Sequence, residues 1–383
     1  MATSPPESLA GIEDQPRARV ALAGALRDET QLSHAYLFHG PAGTGKRTAA
    51  RSFAAALLAR GVPDPADTGR RVLAGVHPDL TWVEPRGAHE ILVDDVRKQV
   101  VREAALRPFE ASRRVFVIAD AERMNDESQN ALLKTLEEPS QFAHFVLISS
   151  APGRLLPTIP SRCQSIRFGP VPTSRIVALL TADGVEPSLA DACARLSAGD
   201  VGKARTLAGE GAEQRAEAEA AVRAVLRRGD DDDGDVDWRL AEPWVPLLAR
   251  AGEAGAHAEA EVKEALDRRL ETEPKRGSQG LVREYELQGR RARRRAHTAS
   301  LDLSLELIGL WFRDLVAVAS GGDAPVLNSD RRDALAEDAA GRDPGALVIC
   351  IELCEDTRRR LERNVLEDLA IEALFSRLRR LVT

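Results

Sequence analysis

A glycine-rich segment near the start of the chain contains residues that could bind phosphate. Its members are Gly40, Pro41, Ala42, Gly43, Thr44, Gly45, Lys46, Arg47 and Thr48. The first seven fit the pattern G-x-x-x-x-G-K, in which backbone N–H groups surround phosphates and the lysine reaches their terminal oxygens. The segment therefore predicts a nucleotide-binding loop with ATP or ADP as its ligand, against the simpler alternative of an ordinary glycine-rich turn.

One position in this loop lacks the residue that its chemistry needs. A Ser or Thr normally follows the lysine and binds Mg²⁺ through its hydroxyl, whereas here Arg47 follows it. A guanidinium cannot ligate a metal, and Thr48 is a poor substitute because one step along a helix rotates a side chain by roughly 100°. The sequence therefore predicts a degenerate loop, at which nucleotide is held but the binding of Mg²⁺ is doubtful.

A second element of nucleotide chemistry is altered as well. A P-loop ATPase uses an acidic residue at the end of a neighbouring strand for Mg²⁺ and often an adjacent Glu to orient water. Here the apolar strand Val115–Ile118 leads into Ala119 and Asp120, so alanine stands at the metal-binding position. Asp120 would sit roughly 1.5 Å short of a glutamate, and misplacement of about 1 Å costs on the order of 100-fold. The absence of two Mg²⁺-binding side chains from one site favours a centre that no longer hydrolyses nucleotide.

Strands and helices alternate around these residues. Asn125 is a suitable N-cap for the last of these helices, and Pro139 ends it. The predicted strands cover residues 35–39, 115–118 and 145–148, and the predicted helices cover 48–60, 91–106 and 126–138. This alternation predicts a parallel, doubly wound α/β sheet with the nucleotide at the carboxyl ends of its strands.

The pattern changes after residues 168–172, where two prolines within three residues break regular structure. Residues 16–29 are predicted to form a helix and 61–80 a loop. Beyond about 210 the chain is predicted to be helical, apart from the acidic run Asp230–Asp235 and residues 274–280. We therefore predict a nucleotide-binding domain over 1–170, a small helical domain over 171–210 and a helical domain over 211–383.

Composition limits the class of protein. The 383 residues are 43% hydrophobic and 30% charged, which is typical of a globular protein, and the sequence contains neither a membrane span nor a signal peptide, so we expect a cytoplasmic location. The net charge of −7 argues against coating DNA by charge alone. The cysteines form no C-x-x-C pair, and Cys350 and Cys354 are interpreted as core residues rather than metal ligands.

Two charged segments do not follow from helix stability. Glu137 and Glu138 lie in the last turn of their predicted helix, where the macrodipole disfavours anions, so we expect contacts outside that helix, with random surface charge as the alternative. The segment Arg290–Arg295 is predicted to be helical. It either contacts DNA or forms a solvated or inter-subunit face.

Taken together, these motifs resemble the clamp-loader branch of the AAA+ ATPases, and within it the delta-prime family of bacterial DNA polymerase III. The resemblance is strong to about residue 170 and weaker in the C-terminal third. It is carried by the segments HAYLF at 34–38, the P-loop, His77-Pro-Asp79, NALLKTLEEP at 130–139, Ser161-Arg162-Cys163 and residues 361–374.

The resemblance implies an α/β P-loop AAA+ module followed by a small helical lid and an all-α collar. It also implies that Arg162, with Ser161 and Cys163, acts as an arginine finger in the ATP site of a neighbouring subunit; a surface arginine capping a short helix is the alternative. Gly202 stands where active relatives carry a sensor arginine. No cysteine precedes Cys163, so the zinc module of many relatives is not expected.

The leading hypothesis is therefore a non-motor scaffold of a clamp-loader ring in DNA replication. Its own ATPase activity would be weak or absent, although it would act within the DNA polymerase III holoenzyme. The implied partners are motor subunits of the gamma/tau type, the delta subunit, the sliding clamp and, indirectly, primer–template DNA. The alternatives are an ATP-hydrolysing motor subunit or recombination-factor ATPase, which would use Lys46, Thr48 and Asp120, and a small-molecule P-loop kinase.

Overall fold

The chain divides into two compact units, Met1–Pro172 and Thr173–Thr383. The predicted division of the second unit at residue 210 stays a prediction. The computed structural model describes residues 9, 11–85, 91–227, 242–272, 278–321, 325–361 and 365–382, apart from the side chains of 269, 271–272, 278–281 and 284. The acidic run Asp230–Asp235 and most of the predicted break at 274–280 lie outside the described residues.

The first unit is built on a five-stranded parallel sheet. Its strands are β1 (Ala35–His39), β2 (Leu80–Val83), β3 (Arg114–Ile118), β4 (Ala143–Ser149) and β5 (Gln164–Arg167). The spatial order is β2-β3-β4-β1-β5, so β1 lies between β4 and β5 and its carboxyl end is flanked on both sides. The predicted parallel α/β sheet is confirmed, and it gains two strands, β2 and β5, that the sequence pattern did not indicate.

Helices cover both faces of this sheet. They are α1 (Pro16–Arg27), α2 (Lys46–Leu58), α3 (Pro65–Leu73), the short turn α4 (Val93–Asp95) with the π-helical segment Val96–Val101, and α5 (Asp126–Glu137). Alternate residues of each central strand point to opposite faces. On one face Phe38 and Val117 pack with Phe53 of α2, and on the other Phe116 packs with Leu132 of α5.

The prediction of a loop over residues 61–80 was wrong. Helix α3 lies within it because Asp64 caps the helix, accepting a hydrogen bond from Asp67 N–H at 2.9 Å, and Pro65 occupies the first helical position. Val72 buries one side of this short helix against the sheet core. Asp64 and Pro65, which suggested a loop, therefore begin a helix.

The described residues of the second unit form helices joined by turns and short irregular segments. Its helices are α6 (Thr173–Ala182), α7 (Pro187–Leu196), α8 (Val201–Ala208), α9 (Ala212–Leu226), α10 (Val245–Thr272), α11 (Ser278–Ala319), α12 (Arg332–Ala339), α13 (Pro344–Leu361) and α14 (Glu367–Val382). Lys203 of α8 pairs with Glu306 of α11 at 2.7 Å, and a bidentate pair joins Arg215 of α9 to Asp330. Among the described helices, none combines the length and apolar character needed to cross a bilayer.

Candidate nucleotide site and arginine turn

The glycine-rich loop joins β1 to α2, as the motif requires. Gly40, Gly43 and Gly45 all have positive φ, at 140°, 64° and 88°. A Cβ at Gly40 would lie 2.0 Å from the carbonyl oxygen of Phe168, so only glycine fits there. The loop ends at the N-terminus of the 13-residue helix α2, which has no side-chain cap. Backbone and dipole therefore favour an anion at this point.

Two neighbouring groups hold the loop in place. The Gln15 side chain donates to the carbonyl oxygens of Thr44, at 3.2 Å, and Gly169, at 2.7 Å, and accepts from Gly169 N–H at 3.0 Å. Lys46 Nζ donates to the carbonyl oxygen of Gly40 at 2.6 Å and also to that of Pro41. The lysine predicted to bind phosphate is therefore directed at main-chain oxygens of its own loop.

Arg47 spans the edge of the sheet where Mg²⁺ chemistry would be expected. Its guanidinium donates to Glu84 Oε2 at 3.0 Å and to Asp120 Oδ2 at 2.9 Å. Glu84 follows β2 and Asp120 follows β3, and these strands are paired in parallel, so both carboxylates emerge at the same edge. The three side chains are one-third to one-half exposed, so each ion pair contributes only about 0–1 kcal/mol to stability.

This set of donors does not fit a magnesium ion. Ala119, at the predicted metal-binding position, is fully buried, and its N–H donates to the carbonyl oxygen of Val83 at 2.8 Å. Asp120 adopts the left-handed conformation, with φ of 52°, and its carboxylate is neutralised by Arg47. Thr48 is exposed, and its methyl group lies beside Gly11. The Arg47 guanidinium and the carboxylates of Glu84 and Asp120 are thus paired with one another.

A further carboxylate lies close to this edge. Glu122 accepts a hydrogen bond from Ser150 N–H at 2.9 Å through Oε1, and its Oε2 is buried with no hydrogen-bond partner among the described residues. Ser150 directly follows β4, so this contact ties the carboxyl ends of β3 and β4 together. Neither Glu84 nor Glu122 was identified from the sequence.

Arg162 lies on a short turn between β4 and β5. We call Pro160–Cys163 the arginine turn; its first three residues form a 3₁₀ helix. Arg162 Nη1 donates to Thr158 O at 2.9 Å and to Ser161 Oγ at 3.2 Å, while Nη2 pairs with Glu137 Oε1 at 2.5 Å. The expectation that Glu137 makes contacts outside its helix is thus confirmed.

The other two residues of this motif support the turn. Ser161 Oγ donates to Thr158 O at 3.0 Å. Cys163 packs against the apolar core that contains Phe116, and burial raises the pKa of its thiol to about 12. Cys163 is therefore a structural residue rather than a nucleophile.

The motif His77-Pro-Asp79 has a structural task. Asp79 is fully buried and accepts hydrogen bonds from the N–H groups of Phe109, Glu110 and Ala111 at 2.7 to 2.9 Å. His77 Nδ1 in turn accepts from Asp79 N–H at 3.1 Å. The motif therefore fixes the loop that leads into β3.

Replacing Asp79 with asparagine is expected to destabilise the chain by about 2 kcal/mol, because the amide would face three N–H donors with only one acceptor oxygen. Chemical denaturation followed by circular dichroism would measure this loss. Asp67→Asn, on the exposed surface of α3, is the control and should cost much less. Equal midpoints for Asp79→Asn and the native chain would contradict the assigned task.

The remaining predicted features lie in the second unit. Gly202 lies in the first turn of α8, which Asp200 caps by accepting from Lys203 N–H at 2.9 Å. Arg290–Arg295 lies on α11, and Arg293 pairs with Glu259 at 3.2 Å. Cys350 and Cys354 are buried and free, which confirms their interpretation as core residues. Among the described residues, no cluster of His, Cys, Asp or Glu is placed to hold a metal ion.

A parallel sheet in the order β2-β3-β4-β1-β5, with a glycine-rich loop of P-loop sequence after β1, defines the first unit as an α/β P-loop module. Residues 15–172 match the family model described as "DNA polymerase III, delta subunit". Through this unit the chain is similar to that family, as its motifs predicted.

Curated relatives agree with this placement. The chain is 40% identical over 221 residues to the "DNA polymerase III subunit delta'" of Pseudomonas aeruginosa, covering 54% of this chain and 66% of the relative. It is 35% identical over 190 residues to the subunit of the same name from Bacillus subtilis, covering 48% and 56%. It is 32% identical over 177 residues to "DNA polymerase III subunit tau" of Bacillus subtilis, covering 45% and 31%. The chain thus spans less than two thirds of the length of these relatives.

Proposed function

We propose that this chain is a non-motor, delta-prime-type subunit of the DNA polymerase III clamp loader. It scaffolds a hetero-oligomeric ring with motor subunits of the gamma/tau type and the delta subunit, and it supplies Arg162 to the ATP site of a neighbouring motor subunit. Through the ring it takes part in placing the sliding clamp on primer–template DNA. No membrane partner is expected.

The observation that carries the proposal is the pairing of Arg47 with Glu84 and Asp120. A motor subunit needs a divalent cation between its P-loop and the strand carboxylate, where it neutralises charge on the transferring phosphoryl group. Here a guanidinium neutralises the carboxylates instead, and Ala119 supplies no ligand. Gly202, in place of a sensor arginine, is consistent with the same loss.

The P-loop itself remains suited to phosphates, since its glycines and the N-terminus of α2 are intact. ATP or ADP would bind there once Lys46 exchanges the carbonyl oxygens of Gly40 and Pro41 for phosphate oxygens. Such a nucleotide would be held as a structural ligand, because the residues for metal-dependent hydrolysis are missing.

The leading alternative is a motor subunit, which is favoured by the 32% identity to a tau subunit. Assembly tests the proposed partners, and ATP turnover by the isolated chain separates the two functions. The chain mixed with purified gamma/tau-type and delta subunits should form one stable complex on gel filtration, and Lys46→Ala should enter it equally well because this P-loop is not a working site. Failure to assemble would contradict the proposal.

Arg47→Ser restores the hydroxyl that the P-loop lacks, yet we expect it to leave the isolated chain inactive. Ala119 still provides no carboxylate, and a P-loop hydroxyl alone cannot hold the ion in position. Steady-state phosphate release with ATP and Mg²⁺ is the measurement, and Arg47→Ala is the matched control without a hydroxyl. A strongly active Arg47→Ser variant would show that the missing hydroxyl alone had made the site inactive.

A further inference from the structure

Helix α5 holds the segment that carries Arg162 at two separate points. At its start, the buried Gln129 accepts a hydrogen bond from Leu156 N–H at 2.7 Å. At its end, Glu137 pairs with Arg162 Nη2 at 2.5 Å. Between these points Ile159 is fully buried and anchors the chain in the core. The helix therefore fixes both the backbone of this segment and the head of its arginine.

The contacts of Arg162 leave part of its guanidinium available. A guanidinium has five N–H donors. Within the described residues Nη1 donates to Thr158 and Ser161, and Nη2 forms an ion pair with Glu137. Nε donates no hydrogen bond within the described residues, and the side chain is 32% exposed. Arg162 can thus stay paired with Glu137 and still present N–H donors to another molecule.

Stability does not account for Glu137. An anion in the last turn of a helix opposes the macrodipole, and an ion pair as exposed as this one, with Glu137 46% exposed, contributes little to folding. The pair instead determines the orientation of the Arg162 guanidinium. An ion pair with Nη2 and Oε1 2.5 Å apart restricts a side chain that otherwise samples many rotamers.

We propose that Glu137 is a positioning residue for Arg162, which sets the guanidinium in place before a neighbouring subunit brings its nucleotide. This inference rests on the proposed function. An arginine already oriented toward the phosphoryl group favours the transition state without first having to be ordered. Loss of Glu137 should therefore lower the rate constant for hydrolysis at the neighbouring site about tenfold, while half-saturation by ATP changes less than twofold.

The test uses rings reconstituted with native motor and delta subunits and single-turnover ATP hydrolysis, in which the site facing Arg162 is followed as a separate phase. Glu137→Ala should slow this phase about tenfold and Glu137→Gln about threefold, since an amide keeps an acceptor but not the charge. Glu138→Ala is the matched control, because no ion pair or hydrogen bond joins Glu138 to Arg162, and it should leave the phase unchanged. Nuclear magnetic resonance of the isolated full chain should show slower rotation of the Arg162 guanidinium in the native protein than in Glu137→Ala.

The outcomes separate the two proposals. A slow phase in Arg162→Ala with a normal phase in Glu137→Ala overturns the positioning role alone. A change in half-saturation without a change in rate constant, or guanidinium rotation that does not respond to Glu137, also overturns it. A normal phase in Arg162→Ala overturns the proposed function, and the role of Glu137 with it.

Discussion

Arg162→Ala is expected to slow ATP hydrolysis at the neighbouring motor site about 1,000-fold, the lower end of the effect of an arginine finger. The guanidinium would stabilise charge that develops on the transferring phosphoryl group, and alanine removes all of its donors. Single-turnover hydrolysis by the reconstituted ring would show one site as an extremely slow phase, and clamp loading on primed DNA should slow in parallel.

Lys46→Ala is the matched control for this prediction. Both substitutions remove a cation from the first unit, but Lys46 serves a P-loop that is not proposed to hydrolyse nucleotide. Rings with Lys46→Ala should therefore keep the native rate at every site. The opposite pattern, with Lys46 required and Arg162 dispensable, would make this chain a motor and would disprove the proposed role of the arginine turn.

The second large expected effect is a loss of folding stability in acid, which is caused by His144 of β4. Burial lowers the pKa of His144 to about 4, and its Nδ1 lies 3.1 Å from the carbonyl oxygen of Ser33. The unfolded chain takes up a proton near the ordinary pKa of 6.5, whereas the folded chain does so only near 4. Stability from this residue is therefore complete above pH 6.5 and falls by about 3 kcal/mol as the pH drops to 4.

Urea denaturation at several pH values between 7 and 4 measures this loss. His144→Asn is the informative variant, because the asparagine Nδ2 can donate to Ser33 O but does not titrate. Between pH 7 and pH 4 this variant should lose about 3 kcal/mol less unfolding free energy than the native chain. His257→Asn, at an exposed position on α10, is the control and should retain the native dependence. Parallel pH profiles for His144→Asn and the native chain would contradict the shift.

Much of the first unit could be predicted because its signals are local. Strands β1, β3 and β4 are apolar runs buried on both faces, and the predicted cap of α5 is confirmed by the 2.9 Å bond from Ser128 N–H to Asn125. Strand β2 escaped prediction because it has four residues of mixed polarity, three of them only half-buried. Strand β5 is short and carries polar residues on its exposed side.

The candidate site was only partly predictable, because its decisive contacts join residues that are distant in sequence. The substitution at Arg47 was visible, but its pairing with Glu84 depends on β2, the strand that was missed. Glu137 was marked by its unfavourable place at a helix end, yet nothing local indicates that Arg162, 25 positions later, would pair with it. Local rules detect that a residue is out of place, whereas tertiary packing determines what it contacts.

The central claim is that this chain does not hydrolyse ATP at its own P-loop. Steady-state ATP hydrolysis by the isolated chain, with Mg²⁺ and primed DNA present, tests it most directly. No turnover above the level of the Lys46→Ala variant is the predicted result. Clear turnover by the native chain that Lys46→Ala abolishes would contradict the claim and show that the pairing of Arg47 with Glu84 and Asp120 had not replaced metal chemistry.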